Sequence, residues 1–299
     1  LSGRAFIPLL SSFACAIPGI MASRTISDPR DRLTTIFVAP LMTCSARLPV
    51  YALLIAAFIP QQTVWGFMNL QGLVLFGLYM AGIVSALAVS FVLKFFHKDK
   101  SQHMLLMELP SYRFPDLKNV WIGLLDRGKI FLKRVGGIIF ALSIVLWFLC
   151  TFPQPPEGAT LPAIDYSLAG MLGHLMQPIF APLGFNWQIC IALIPAMAAR
   201  EVVVAALGTV YALSAVDDDA MSEGLSSLIS SGGDLGWSVA TGLSLLVWFI
   251  YAPHCLATLA TVKRETGSWK TVSIMTVYLF GLAYFMSFLT YQIASYYLG

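Results

Sequence analysis

The stretch FACAIPGIMASRT, Phe13 to Thr25, is apolar enough to enter a bilayer, yet it holds a lone Cys15, a helix-breaking Pro18–Gly19 pair and a closing Arg24. A proline removes one backbone hydrogen bond, and its ring clashes with the carbonyl four residues back. At membrane depth the freed carbonyls persist only where protein or a water-filled cavity satisfies them. A chain that breaks its own helix beside a thiol is therefore lining an interior path rather than laying down a plain span.

The rest of the chain supports a membrane setting. Of 299 residues 58% are hydrophobic and 11% charged, with mean hydropathy +0.78; a soluble domain carries about 25% charged residues. Residues 33–59, 71–95, 135–152, 237–262 and 271–295 are long apolar runs. At 1.5 Å per residue each can cross the roughly 30 Å of hydrocarbon. Two further runs, 5–23 and 187–210, are interrupted, the first by Pro8, Pro18 and Gly19, the second by Pro195 and the pair Arg200–Glu201. The five cysteines are scattered through apolar sequence and do not suggest a disulfide framework. No phosphate-binding glycine motif occurs, so the chain holds no nucleotide loop, and no nucleic-acid partner is expected. Residue 1 is Leu and no signal peptide precedes it, so the sequence reads as part of a longer protein.

Basic residues set the topology. They are dense between Lys94 and Arg134 and recur at Lys263, Arg264 and Lys270, whereas 153–186 and 211–236 contain none. The second of these stretches is acidic, with Asp217, Asp218, Asp219, Glu223 and Asp234. If 187–210 crossed the membrane, the basic cluster at 263–270 would lie outside. If it enters and returns as a hairpin, every outside loop is free of Lys and Arg. The second arrangement is preferred, with the C-terminus outside.

The expected fold is an all-α polytopic membrane protein with an inverted repeat of two gate motifs. Each is a re-entrant or broken segment followed by a Pro-broken span. The first gate motif covers 1–70, with the broken segment 5–23 and the broken span 33–59. A span at 71–95 follows. Residues 96–134 form a basic cytoplasmic loop and an amphipathic surface helix (116–134) that leads into a span at 135–152. Residues 153–186 are an outside loop. The second gate motif covers 187–270, with the re-entrant segment 187–210, the acidic outside loop 211–236 and the broken span 237–262. The last span is 271–295. The broken spans carry the related strings APLMTCSARL (39–48) and APHCLATL (252–259), and broken helices that meet near the midplane are the plan of secondary transporters.

Three cysteines lie beside the breaks: Cys15 by Pro18, Cys44 by Pro40 and Cys255 by Pro253. A free cysteine is most often a small buried hydrophobe, which is the reading for Cys150 and Cys190 in unbroken runs. Three thiols at three breaks point instead to a transition-metal path, with His254 beside Cys255 as a further donor. Neighbours on an intact helix point about 100° apart, so His254 and Cys255 share an ion only if the helix unwinds at Pro253. Arg47, Arg200 and Glu201 are the charges within membrane segments, where such groups face the bundle interior and are paired. Glu201 is either an ion ligand or the structural partner of Arg47 or Arg200, and the pairing weighs more because two cations need compensation.

FACAIPGIMASRT (13–25), RDRLTTIFVAPLMTCSARLPVYALL (30–54), MELPSYRFP (107–115), AMAAREVVVAALGTVY (196–211) and YAPHCLATLATVKRETGSWK (251–270), in this order and spacing, resemble the membrane half of the bacterial ferrous iron transport protein B family. The resemblance implies a multi-pass Fe²⁺ importer of the bacterial inner membrane. It also implies a GTP-binding domain upstream on the cytoplasmic side, a small cytoplasmic accessory iron-transport protein as partner, and a homo-oligomer as one possible assembly. On that basis this chain is a permease and not itself an enzyme. Where family members often have Gly before the first gate cysteine, Ala14 stands here. Where they have Pro-Cys or Pro-Gln-Cys at the second gate, this chain has Pro253-His254-Cys255. Arg200 replaces a common Lys and keeps the charge. Two other readings are weighed. A nucleoside or other organic-solute carrier would place amides and aromatics at the breaks, where this chain places thiols, Thr43, Ser45 and His254. A membrane thiol enzyme would need a base oriented on its cysteine.

Overall fold

The structure, a computed structural model, describes residues 5–59, 62–64, 68–96, 116–153, 166–197, 200, 203–204, 206–207, 238–253 and 255–298. Among them the chain runs through helices α1 (Phe6–Ser12), α2 (Ala16–Ala22), α3 (Pro29–Val38), α4 (Leu48–Phe58), α5 (Leu70–Phe96), α6 (Leu117–Thr151), α7 (Leu168–Phe180), α8 (Trp187–Ala196), α9 (Val239–Tyr251), α10 (Leu256–Thr266) and α11 (Trp269–Leu298). A two-residue antiparallel ladder, β1 (Thr63–Val64) with β2 (Met68–Asn69), lies between α4 and α5. The protein is an all-α polytopic membrane protein. Pro29–Phe58, Leu70–Phe95, Val239–Thr266 and Trp269–Tyr297 are each long and apolar enough to cross a bilayer. The first and third are broken, at 39–47 and 252–255, between α3 and α4 and between α9 and α10. The first interrupted segment is likewise split, at Phe13–Cys15, into α1 and α2.

Packing follows membrane rather than aqueous rules. On α5 the buried positions Leu78, Gly82, Ala86 and Ser90 recur every fourth residue, while Phe76, Val84, Phe91 and Phe95 are exposed. Small residues face the bundle because lipid is as apolar as Leu, so close approach rather than hydrophobicity holds the helices together. The α9–α11 pair shows the same device with polar glue. Ser244 Oγ donates to the Ser287 carbonyl at 3.2 Å, and Ser287 Oγ donates to the Ser244 carbonyl at 2.9 Å, both buried. The Tyr278 hydroxyl donates to the Phe37 carbonyl, and the two rings stack, tying α11 to α3.

Two expectations need correction. The stretch 153–186, read as an outside loop, contains α7, started by Ser167 accepting from the Gly170 amide at 3.1 Å. Its exposed Leu168, Met171, Leu172, Leu175 and Ile179 follow helical spacing, and Ala169, Gly170 and Gly173 pack inward. Together with the turn Ala181–Leu183 it meets α8 at 101°. The surface helix expected at 116–134 is not separate from the span at 135–152. Both belong to α6, 35 residues long, opened by the Asp116 side chain on the Lys118 amide. Nothing in 117–151 removes a backbone donor, so the change in side-chain polarity at Lys133–Arg134 does not interrupt the backbone ladder.

At the ends of α2 and α10 the two halves are joined by ions. Glu265, whose side chain is 2% exposed, takes a forked pair of bonds from Arg24 at 2.6 and 2.8 Å and a third from Arg32 Nη2 at 3.0 Å. Arg24 itself is largely exposed, so its share is screened by solvent. Removing one partner of a buried pair leaves the other charge uncompensated. Glu265→Gln is expected to lower stability by about 2 kcal/mol, below the full buried-pair cost because of that exposure. Adding Arg32→Gln should recover part of the loss in thermal unfolding, and strict additivity of the two changes would refute the pairing.

Candidate functional site

Cys15, Cys44 and Cys255 occupy the same kind of position. Each is an extended residue between two helical segments, with φ/ψ of −158/135, −88/160 and −161/98, and each immediately precedes the second segment. Five helices that start elsewhere are capped by side chains, as Asp28, Asp116, Ser167, Asn186 and Ser238 each accept a backbone amide. The three thiols cap nothing. The amides after them and the carbonyls before them must find partners elsewhere.

Those partners come from the other breaks. Pro18 has no N–H to give the Ala14 carbonyl, and Ser45 Oγ donates to it instead at 2.9 Å. The Ser45 amide donates to the Phe13 carbonyl at 3.1 Å. In the second half the Leu256 amide donates to the Met197 carbonyl, also at 3.1 Å, where Met197 ends α8. In both halves, therefore, the residue directly after the gate cysteine gives its amide to a carbonyl of the preceding interrupted segment.

Two buried arginines use the remaining carbonyls. Arg47, 1% exposed, donates to the carbonyls of Pro40 at 3.0 Å, Met42 at 3.4 Å and Leu41 at 3.5 Å. This is the carbonyl end of the first half-helix, where a positive charge is favoured. Arg200, 6% exposed, donates from Nη2 to the Ala252 carbonyl at 3.2 Å, and its Nη1 lies 3.8 Å from Cys44 Sγ. Arg200 thus bridges the break of one half to the break of the other.

Around Cys44 stand hydroxyls that spacing alone did not assign. Thr43 Oγ1 and the Tyr51 hydroxyl are buried neighbours that face each other, with no further hydrogen-bond partner described for either. Tyr51 and Tyr79 lie within electrostatic range of Cys44. Gly82 of α5 makes room here, since a Cβ on it would stand 2.7 Å from Thr43 Oγ1. No helical spacing ties Tyr51 to Cys44 in the sequence, because Cys44 is extended and α4 begins only at Leu48.

Of the expected site residues, Cys15, Cys44 and Arg200 belong to breaks that bond to one another, and Cys255 adjoins the Leu256–Met197 bond. Arg47 is held by carbonyls; the expected carboxylate partner, Glu201, and the donor His254 lie outside the described residues. Cys190 is fully buried within α8. Among the described residues no three His, Cys, Asp or Glu side chains form a group able to hold a metal.

Comparison with known proteins fits this arrangement. The family model described as Gate, nucleoside recognition, matches residues 1–58 and 132–269, and that of the ferrous iron transport protein B C terminus matches 75–127. Similar curated proteins include the Fe(2+) transporter FeoB of Leptospira interrogans, 40% identical over 98% of this chain and 43% of the relative. That of Campylobacter jejuni is 34% identical over 98% and 47%. An Fe(2+) transport protein A/Fe(2+) transporter FeoB fusion protein of Porphyromonas gingivalis is 36% identical over 98% and 38%. The chain spans less than half the length of these relatives. No solved structure matches it. Two family models in register, over a bundle whose thiols stand at hydrogen-bonded breaks, place the chain in the ferrous iron transport protein B family, of which it carries the Gate and C-terminus segments.

Proposed function

We propose that this chain forms the ion pathway of a ferrous iron importer in the bacterial inner membrane. In the intact protein that pathway is regulated by an upstream GTP-binding domain, and the chain itself is a permease rather than an enzyme. The observation that carries the reading is the meeting of the cysteine-bearing breaks through Ser45, Arg200 and Leu256. Fe²⁺ suits sulfur and oxygen donors together. An ion arriving at a thiol favours its deprotonation, and spaced weak sites let it leave again. The greater length of the relatives fits a further domain, and the fused relative supports a small accessory protein as partner.

The ion pairs of Glu265 support the proposed topology. Arg24 and Arg32 share a membrane side with Glu265 because they touch it. Between Arg32 and Glu265 the chain crosses by α3–α4, by α5, by the apolar half of α6 and by α9–α10. That number is even, and it stays even if the segment from α7 to residue 210 adds no crossing, as a re-entrant hairpin requires; a single crossing there would make it odd.

Uptake of radiolabelled Fe²⁺ by the intact protein in liposomes tests the function. Cys15→Ser, Cys44→Ser and Cys255→Ser are each expected to lower uptake by about tenfold or more, the scale of losing a metal-site partner. Cys190→Ser should leave it unchanged. Uptake at the wild-type rate in all of them would remove the thiols from the path. The Gate family description makes a nucleoside the rival cargo; competition by a nucleoside, with none by Mn²⁺ or Zn²⁺, would favour it.

A further inference from the structure

We infer that Arg200 is a tethered cation sitting in an ion seat where the two halves cross, so that a divalent transition-metal ion reaches Cys44 only by displacing the guanidinium. The inference rests on the iron-transport reading above. The guanidinium lies between a soft acceptor from the first half, Cys44 Sγ at 3.8 Å, and a hard acceptor from the second, the Ala252 carbonyl at 3.2 Å. Acceptors that converge on one cation can receive another. Near the same thiol is the Tyr51 hydroxyl, buried, with the buried Thr43 Oγ1 as its neighbour and no further hydrogen-bond partner described for either. A hydroxyl oxygen carries two lone pairs, and it can replace a water that an entering ion sheds.

The donor set then explains selection. One sulfur, one carbonyl and two hydroxyls suit a borderline divalent ion better than Na⁺ or Mg²⁺, which gain little from sulfur. The guanidinium competes equally with every cation for the oxygens, so only an ion that also gains from the thiolate displaces it. When such an ion binds, the Cys44 proton is released to water. With no such ion present the guanidinium holds the seat and bars other cations.

The test is alkylation of Cys44 by N-ethylmaleimide, resolved by peptide mass spectrometry, in the intact protein under anaerobic titration with Fe²⁺ or Mg²⁺. In the wild type Fe²⁺ is expected to protect Cys44 and Mg²⁺ not. In Arg200→Gln, Fe²⁺ should protect at about tenfold lower concentration, because a like charge at hydrogen-bond distance has been removed. Mg²⁺ should also begin to protect, and liposomes carrying this variant should leak Mg²⁺. Arg200→Lys keeps the charge but cannot span both acceptors, so it should fall between, and it carries the test if Arg200→Gln does not fold. An unchanged protection midpoint overturns the inference. So does a raised midpoint, because the guanidinium would then be stabilising the thiolate rather than competing for it. If the wild type takes up no Fe²⁺, the iron reading falls; if uptake is normal and the variants leave protection unchanged, only the seat falls.

Discussion

Replacing Arg47 by methionine is expected to cost the protein at least about 3 kcal/mol, a large share of the roughly 5–15 kcal/mol that holds a domain folded. Two terms oppose each other. Burying a guanidinium is expensive, and methionine removes that cost. The carbonyls of Pro40, Leu41 and Met42 stay where the backbone holds them, however, and lose their donors together. Each orphaned buried acceptor costs about 1–3 kcal/mol. Three of them outweigh the desolvation recovered, because the guanidinium already sits in favourable dipoles at a helix carbonyl end. Arg47→Lys should lose less, since an ammonium keeps the charge but lacks the planar fork. Thermal unfolding of the purified variants checks this. A methionine variant that melts with the wild type would mean that water reaches those carbonyls.

The second large effect is expected at Gly19. α2 crosses α1 there so closely that a Cβ would stand 2.7 Å from the Pro8 carbonyl and would also strike Ser12, whose hydroxyl already bonds that carbonyl. Backbone cannot move aside as a flexible side-chain tip can. Gly19→Val should destabilise by about 3 kcal/mol, the upper end of overpacking costs. By forcing α1 from α2 it should also shift the Phe13 and Ala14 carbonyls from Ser45 and so lower ion uptake. Gly77→Ala is the control, because nothing stands within 4 Å of its added Cβ. Equal melting temperatures for the Gly19 and Gly77 variants would show that the α1–α2 contact is dispensable.

Much of this architecture could be read from residue types. Pro18, Pro40 and Pro253 mark the breaks because a missing amide is a property of the residue itself. The buried face of α5 is written in Leu78, Gly82, Ala86 and Ser90, four residues apart. α7 escaped notice because thirteen residues are too few to cross a membrane and Pro178 and His174 interrupt their apolar pattern. The continuity of α6 escaped because a charged turn beside an apolar one looks like a boundary, although backbone hydrogen bonds do not depend on side-chain polarity. The carbonyls around Arg47 were beyond reach for another reason. Sequence shows a buried charge and suggests a carboxylate as its partner, Glu201, which lies outside the described residues, whereas it gives no sign that carbonyls, which every residue carries, also gather round the guanidinium.

The paired bonds from Ser45 to Phe13 and from Leu256 to Met197 run from main chain to main chain. The atoms of these two bonds are therefore the same whatever residue occupies the position. Scanning mutagenesis is blind to such a joint: alanine at 256 would keep the amide, and alanine at 45 would report only the loss of the Ser45 hydroxyl's bond to the Ala14 carbonyl. It also lets serine stand at one joint and leucine at the other without altering the bond, so that the likeness of the two joints is invisible as text while present as geometry. Only an edit of the backbone itself, an ester in place of the amide at either position, would remove the donor and expose what the joint contributes.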